Sequence, residues 1–319
     1  MAELTRHPDG ITAVDTHYLR PQFDASHVIV QDGRAAFIDT GTTHSVPHLL
    51  AALDQLGVAR DAVDYMFLTH VHLDHAGGAG ELMRQLPNAR AVIHPRGAQH
   101  MIDPGKLITA SIAVYGEENY RRLYGDLVPI PAARVVAAED GQIFALAGRA
   151  LECIHTPGHA MHHQCIVDRE HAVAFTGDTF GLSYRELDVD GRAMVIPTTT
   201  PTQFDPEQLV ASIRRIAALK PDALYLTHYS RVTDIPRLAA ELERQLGVIV
   251  AATRAAATAS GDDRADCKRR IVAAMRDLWL STARNHGVQI SDAGILSMLE
   301  LDLELNADGL IAWLDRAKR

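Results

Sequence analysis

Cysteine is scarce in this chain and shows no pattern. There are three in 319 residues, Cys153, Cys165 and Cys267, and no Cys-x-x-Cys pair. That leaves no thiolate zinc cage and no redox pair, and it suits a reducing compartment. No Gly-x-Ser-x-Gly turn occurs, so the serine elbow of the α/β-hydrolases is excluded. No apolar run is long enough to cross a bilayer, and the opening Met1-Ala2-Glu3-Leu4-Thr5-Arg6-His7 lacks the apolar core of a secretory signal. The expectation is a cytoplasmic protein without membrane contact. Positive charge is also in short supply. Lys and Arg number 31 against 40 Asp and Glu, a formal net charge of −9, which gives no electrostatic reason to bind nucleic acid.

What the chain has is a cluster of metal-ligand side chains. Thr69-His70-Val71-His72-Leu73-Asp74-His75 places three histidines and an aspartate within six positions, directly after the apolar run Val63 to Leu68. The run reads as a buried strand, so the cluster falls where a strand ends, and strand ends in α/β proteins converge on a crevice. Imidazole nitrogen and carboxylate oxygen suit zinc, manganese or iron. A polar turn of solvated histidines is the competing reading, disfavoured by four ligand-type residues at alternating spacing. The pattern repeats along the chain. Strand-like runs lead into Asp39, into Thr156-Pro157-Gly158-His159, into Thr176-Gly177-Asp178 and into Thr227-His228.

An early Asp, then His-x-His-x-Asp-His, then His, Asp and His in this order resembles the metallo-β-lactamase superfamily in its dinuclear branch, glyoxalase II-like and lactonase-like. The resemblance covers about residues 10 to 230. It implies an α/β fold, an αββα sandwich of two packed mixed sheets with outer helices. It also implies that His70, His72 and His159 bind a first metal, that Asp74, His75 and His228 bind a second, that Asp178 bridges both, and that Asp39 orients a ligand. Two divalent ions are expected, zinc first, with iron or manganese as alternatives. A hydroxide held between them would attack a carbonyl, with Asp74 as the catalytic group that relays the proton.

Departures narrow the branch. β-Lactamases of the superfamily that use a cysteine ligand carry it where this chain has Asp178. Flavodiiron proteins have Glu where this chain has His72. No basic insertion resembles the RNA-gripping arm of RNase Z-like enzymes, and the glutathione-holding basic residues of glyoxalase II-type enzymes are not recognisable. The Tyr that acyl-homoserine lactonases place three residues after the bridging Asp is Gly181 here, and the next tyrosine is Tyr184. The leading expectation is a hydrolase of an ester, thioester or lactone bond in a small molecule. Alternatives are a mononuclear iron persulfide dioxygenase, a phosphodiesterase, and a non-enzymatic ligand-binding or sensor protein.

The chain is expected to divide into a catalytic domain over 1–232, with a helical insertion at about 97–133, and a C-terminal helical region over 233–319. The latter is a candidate homodimer surface. Strands are expected at 11–19, 26–31, 34–39, 63–69, 90–94, 142–146, 150–155, 164–168, 172–177 and 223–227. Val46, Leu49, Leu50, Leu53 and Leu56 mark a first helix, with Ser45 as its N-cap and Gly57 as its stop. Asp205-Pro206 opens another helix. Pro236 to Val250 is a third, with Leu238, Leu242, Leu246 and Ile249 inward, and Asn306 is expected to cap the last, over Gly309 to Ala317. Tyr115, Tyr120 and Tyr124 of the insertion, with Tyr184 and His163, are candidate walls of a substrate pocket. The competing reading for the three insertion tyrosines is packing onto the core, and for His163 a supporting or surface histidine.

Overall fold

The apolar runs of the first two thirds of the chain become strands, and the strands build two mixed sheets. The computed structural model describes residues 1–200 and 203–317. The last two residues of the expected C-terminal region, 318 and 319, lie outside the described residues. Two compact units are present. Unit 1 comprises 1–155, 162–177 and 223–231, and unit 2 comprises 156–161, 178–222 and 232–319.

In unit 1 the first sheet runs in order β1 (Leu4–Arg6), β2 (Ile11–Asp15), β3 (Ala25–Gln31), β4 (Arg34–Ile38), β5 (Val63–Phe67), β6 (Arg90–Ile93) and β7 (Val135–Ala137). Its first four strands pair antiparallel and β4 to β7 pair parallel, with Ile38 beside Phe67 and Phe67 beside Val92. The second sheet holds β8 (Gln142–Leu146), β9 (Arg149–His155), β10 (Gln164–Asp168), β11 (Val173–Gly177), β12 (Ala223–Leu226) and β13 (Ser230–Val232), antiparallel from β8 to β11 and parallel between β11 and β12. One buried cluster joins their faces. Ile11, Ile29, Ile38, Phe67 and Val92 of the first sheet meet Phe144, Leu151, Ile166, Phe175 and Tyr225 of the second, the core of a face-to-face sandwich. Cys153 belongs to this core, and burial pushes its thiol up to about 12, so it is an apolar filler rather than a reactive group.

Parallel strands leave their carboxyl ends at one edge. The segments following β4, β5 and β12 carry Asp39, the histidine cluster and His228, as expected. Helix α1 (Val46–Leu56) packs against β2 and against α3 (Ala79–Gln85), which follows the single turn α2 (Leu73–Ala76). Gly57 ends α1 at φ 70°. Ser45 precedes α1, but its hydroxyl accepts from the Thr42 amide instead of capping the helix, because a short turn at Thr43–Ser45 claims it first. The segment expected as a helical insertion at about 97–133 holds α4 (Pro95–Ile102), α5 (Gly105–Tyr115) and α6 (Glu117–Tyr124), and from Gly125 to Pro131 it is irregular.

The strand expected over 11–19 stops at Asp15, whose carboxylate accepts the His17 and Gln22 amides and turns the chain. Three strands escaped the sequence pattern, Leu4–Arg6, Val135–Ala137 and Ser230–Val232. At three residues each they are too short to show a period.

Unit 2 is mainly helical, with α7 (Pro206–Ala218), α8 (Ile235–Ser260), α9 (Arg264–His286), α10 (Asp292–Met298) and α11 (Glu300–Ala317). Asp205 caps α7 by accepting the Glu207 and Gln208 amides, each at 3.0 Å. Helix α8 buries Leu238, Leu242, Leu246 and Ile249, as their spacing requires, and packs against α7 and α9. Asn306 is not an N-cap. It lies within α11, where its side chain accepts from Thr199 Oγ1 at 2.8 Å and donates to the Asp302 carbonyl at 2.8 Å. No described helix is long and apolar enough to cross a membrane.

Candidate metal centre

Unit 1 carries five of the seven expected ligands and the aspartate expected to orient them. Asp39, 1% exposed, follows β4 in the left-handed region at φ 56°. Its Oδ1 accepts the Thr69 amide at 2.8 Å, and its Oδ2 accepts the Thr69 hydroxyl at 2.7 Å and the Thr227 hydroxyl at 2.9 Å. The same Oδ2 lies 2.9 Å from His75 Nδ1. Asp39 thus ties together the chain ends of β4, β5 and β12, and it orients one imidazole by its Nδ1 edge. The Phe23 carbonyl does the same for His228, 3.0 Å from its Nδ1.

Both rings are held so that their Nε2 atoms face one carboxylate. Asp74 Oδ2 lies 3.8 Å from His75 Nε2 and 3.6 Å from His228 Nε2. One donor atom from each of Asp74, His75 and His228 fits within 4.8 Å of the others. His70 Nε2 and His72 Nδ1 face each other at 2.7 Å, and His70 Nδ1 lies 3.2 Å from Thr69 Oγ1. Histidine ligands tied back through the other ring nitrogen are the usual support of a metal site. Two nitrogens and one carboxylate oxygen at such separations suit a divalent first-row ion with bonds of about 2.0–2.2 Å. The residues present therefore fit a metal.

His163 is fully buried, and its ring stacks on His70 with centroids 4.9 Å apart. Gly177, at φ 48°, makes room for it: a Cβ there would lie 2.7 Å from His163 Nε2 and 2.6 Å from Thr69 Oγ1. His162 accepts the Val71 amide at 3.5 Å, with its ring 5.6 Å from His72.

Tyrosines gather near Phe23, the Tyr18 ring lying 5.8 Å from it. Tyr18 donates to the Tyr124 hydroxyl at 3.2 Å. Both phenols are raised above their usual range, first by burial, with the negative charge of Asp74 adding to it. Tyr115 meets the Tyr124 ring edge-on at 5.5 Å, while Tyr120 is buried beneath, its ring 6.0 Å from Tyr124. Asp24 is fully buried in the same corner. Burial pushes its carboxyl up to about 7 against the pull of His228 and His75.

Unit 2 carries the remaining two expected ligands. His159 Nε2 lies 3.4 Å from Asp178 Oδ2, its Nδ1 lies 2.9 Å from Thr198 Oγ1, and that hydroxyl donates to the Asp178 carbonyl at 3.1 Å. Tyr184 is also in unit 2, buried, with its hydroxyl donating to Asp302 at 3.1 Å. The supporting residues Phe23, Asp24, Tyr18 and Thr198 had no signal in the sequence. Thr69 and Thr227 had a faint one, since each directly precedes a strand-end histidine.

Comparison with known proteins identifies the family. The family model described as metallo-beta-lactamase superfamily matches residues 20–228. The metallo-beta-lactamase fold-containing protein ST1585 of Sulfurisphaera tokodaii is 28% identical over 71% of this chain and 79% of its own length. Its crystal structure, titled as that of an archaeal metallo-beta-lactamase superfamily protein, superposes with a TM-score of 0.61 over 75% of this chain and 87% of that one, at 26% identity. A hydroxyacylglutathione hydrolase of Aeromonas hydrophila is 29% identical over 67% of the chain. An atrochrysone carboxyl ACP thioesterase of Emericella nidulans is 27% identical over 48%. The chain spans less than two thirds of those two relatives, 65% and 39% of their lengths. A strand-end Asp that gathers His-x-His-x-Asp-His and a distant His, within a two-sheet α/β sandwich matched over residues 20–228, places this chain in the metallo-β-lactamase superfamily.

Proposed function

We propose that the protein is a metal-dependent hydrolase that cleaves an ester, thioester or lactone bond in a small molecule. The observation that carries this reading is the triad of Asp74, His75 and His228. Both imidazoles are tied back through Nδ1, and both Nε2 atoms face one carboxylate oxygen. The names of two relatives, a hydrolase and a thioesterase, support the reaction class.

In this reading His70, His72 and His159 hold one divalent ion, Asp74, His75 and His228 hold another, and Asp178 serves both. When bound, such ions supply an activated water and polarise a carbonyl. The chain's own residues do the rest. Asp39 fixes the His75 ring and its tautomer, and Phe23 fixes His228. Asp74, partly open to solvent beside the two rings, accepts the proton that hydrolysis releases. The buried phenols of Tyr18 and Tyr124 stay protonated, raised by burial and by the negative charge of Asp74.

Elemental analysis of protein from unsupplemented cells should find about two divalent ions per chain. Chelation should remove them together with hydrolysis of a thioester, ester and lactone panel, and zinc should restore it. His72→Ala and Asp178→Ala should each lower metal content by about one ion per chain or more, and turnover by more than a hundredfold. Unchanged turnover in either variant, or in the chelated protein, would sink the mechanism. About one iron per chain with oxygen uptake on a persulfide would replace the reading.

A further inference from the structure

Helix α11 carries a polar stripe that the protein buries. Asp302, Asn306 and Gly309 follow i, i+4, i+7 spacing, so they share one face, and all three are buried. A helix that only fills a core needs no such face, since paired polar groups can be replaced by apolar ones of the same shape at little cost. This face is bonded instead, and its partners lie in one loop of the same unit, 178–199. Tyr184 donates to the Asp302 carboxylate at 3.1 Å. Asn306 Oδ1 accepts the Thr199 amide at 2.5 Å, and the Thr199 hydroxyl lies 2.8 Å from the same oxygen. Asn306 Nδ2 donates to the Asp302 carbonyl at 2.8 Å, which fixes the orientation of the amide. Gly309 lets the Thr199 backbone come close, for a Cβ there would lie 1.8 Å from the Thr199 carbonyl oxygen.

The loop that α11 grips begins and ends at proposed metal ligands. Asp178 opens it. Leu182 and Ile196 bridge it, exchanging amide-to-carbonyl bonds of 2.8 and 2.9 Å. The bridge returns Thr198 to the start of the loop, where its hydroxyl donates to the Asp178 carbonyl at 3.1 Å and lies 2.9 Å from His159 Nδ1. A hydroxyl has one proton to give. With that proton on the Asp178 carbonyl, Thr198 Oγ1 accepts from His159. The imidazole proton then sits on Nδ1, and Nε2 is left bare for a metal. One hydroxyl thus sets the tautomer of His159 and holds the backbone at Asp178. The next residue in the chain, Thr199, is the one bonded to Asn306.

We infer that α11 positions the two metal ligands of unit 2: Asn306, through Thr199, holds Thr198 where its hydroxyl orients His159 and Asp178. Thr198 and Asn306 are positioning residues, and the last helix of the chain serves the metal ligands as well as the core. The inference rests on the reading of His159 and Asp178 as ligands and adds what holds them in place.

The test reads zinc affinity of the full chain by chelator competition. Thr198→Val keeps the shape and loses the hydroxyl. It should weaken zinc about 10- to 100-fold, the usual cost of removing a partner behind a ligand, while Thr198→Ser, which keeps the hydroxyl, should stay within about threefold of wild type. Asn306→Leu, of similar volume, should weaken zinc about tenfold. A double variant separates this route from general loosening. Because Asn306 acts through Thr198, Thr198→Val/Asn306→Leu should bind zinc no more weakly than Thr198→Val alone. Ile271→Ala opens a cavity on the buried side of α9; it should lower stability and leave zinc affinity within about twofold. Should Asn306→Leu fail to fold, Thr199→Val, which removes one of the bonds to Asn306, takes its place in the cycle and should weaken zinc severalfold. Unchanged affinity in Thr198→Val or in the Asn306 variant, additive losses in the double variant, or an equal loss in Ile271→Ala overturns the positioning role and leaves the metal reading standing. A wild type that takes up no zinc overturns the metal reading and this inference together.

Discussion

A carboxylate that accepts from four partners sits at one residue, Asp39. Its two oxygens take one backbone amide and two threonine hydroxyls and hold the Nδ1 edge of His75. Asparagine has nearly the same shape and tolerates the left-handed backbone found at this position, but it offers one acceptor oxygen and puts donors where only acceptors serve. Asp39→Asn should therefore keep the fold and lower metal affinity about 10- to 100-fold, the usual effect of losing a partner behind a ligand. A chelator competition would read this directly. Affinity within twofold of wild type would show that the Asp39 link to His75 does not tune the site. Asp39 was legible in the sequence because it ends a strand ahead of the histidine cluster. Its partners Thr69 and Thr227 were only faintly so, because a threonine beside a β run is ordinary strand composition.

Elements differed in legibility according to what decides them. The Asp205 cap and the inward stripe of α8 are local matters of side-chain chemistry and spacing, and both were read correctly. Asn306 shows the opposite case. It has the chemistry of a cap, yet tertiary contact uses that amide for Thr199 within an unbroken α11. Gly309 belongs to the same contact. A Cβ there would lie 1.8 Å from the Thr199 carbonyl oxygen. Helix propensity alone favours alanine over glycine by about 1 kcal/mol, whereas forcing a methyl into a packed contact costs about 1–3 kcal/mol. At 1.8 Å the obstacle is backbone, so contact should win. Gly309→Ala should lower stability by about 2 kcal/mol in urea unfolding; a stabilised variant would mean that α11 can draw back from Thr199.

The whole molecule should respond to acid through a histidine remote from the metal ligands in sequence. His27 on β3 is buried among the rings of Phe175 and Tyr225, with centroids 5.5 and 5.4 Å away. Burial, with a smaller contribution from His7, lowers its pKa from 6.5 to about 3. The unfolded chain therefore binds a proton at pH 6.5 that the folded protein refuses until about pH 3. The stability this neutral ring allows is fully present above pH 6.5 and is lost as pH falls, at up to about 1.4 kcal/mol per unit. His27→Gln removes that proton. The stability difference, wild type minus His27→Gln, should shrink with this slope between pH 6.5 and about 3 and stay constant above 6.5. A difference constant across the whole range would show that His27 titrates normally. Chelated samples would keep metal loss out of the comparison.

Another consequence follows from the way the two units share one thread. The chain passes from one unit to the other at 155/156, 161/162, 177/178, 222/223 and 231/232. Unit 1 lacks its last segment, which carries His228, until residue 231 has been made. The segments 156–161 and 178–222, which carry His159 and Asp178, wait for 232–317. At ordinary synthesis rates the second delay is on the order of ten seconds. A nascent chain of this protein holds the proposed metal ligands before it can bury what surrounds them. No single cut yields two finished pieces, and a chain stopped at residue 232 should emerge insoluble rather than as a smaller enzyme.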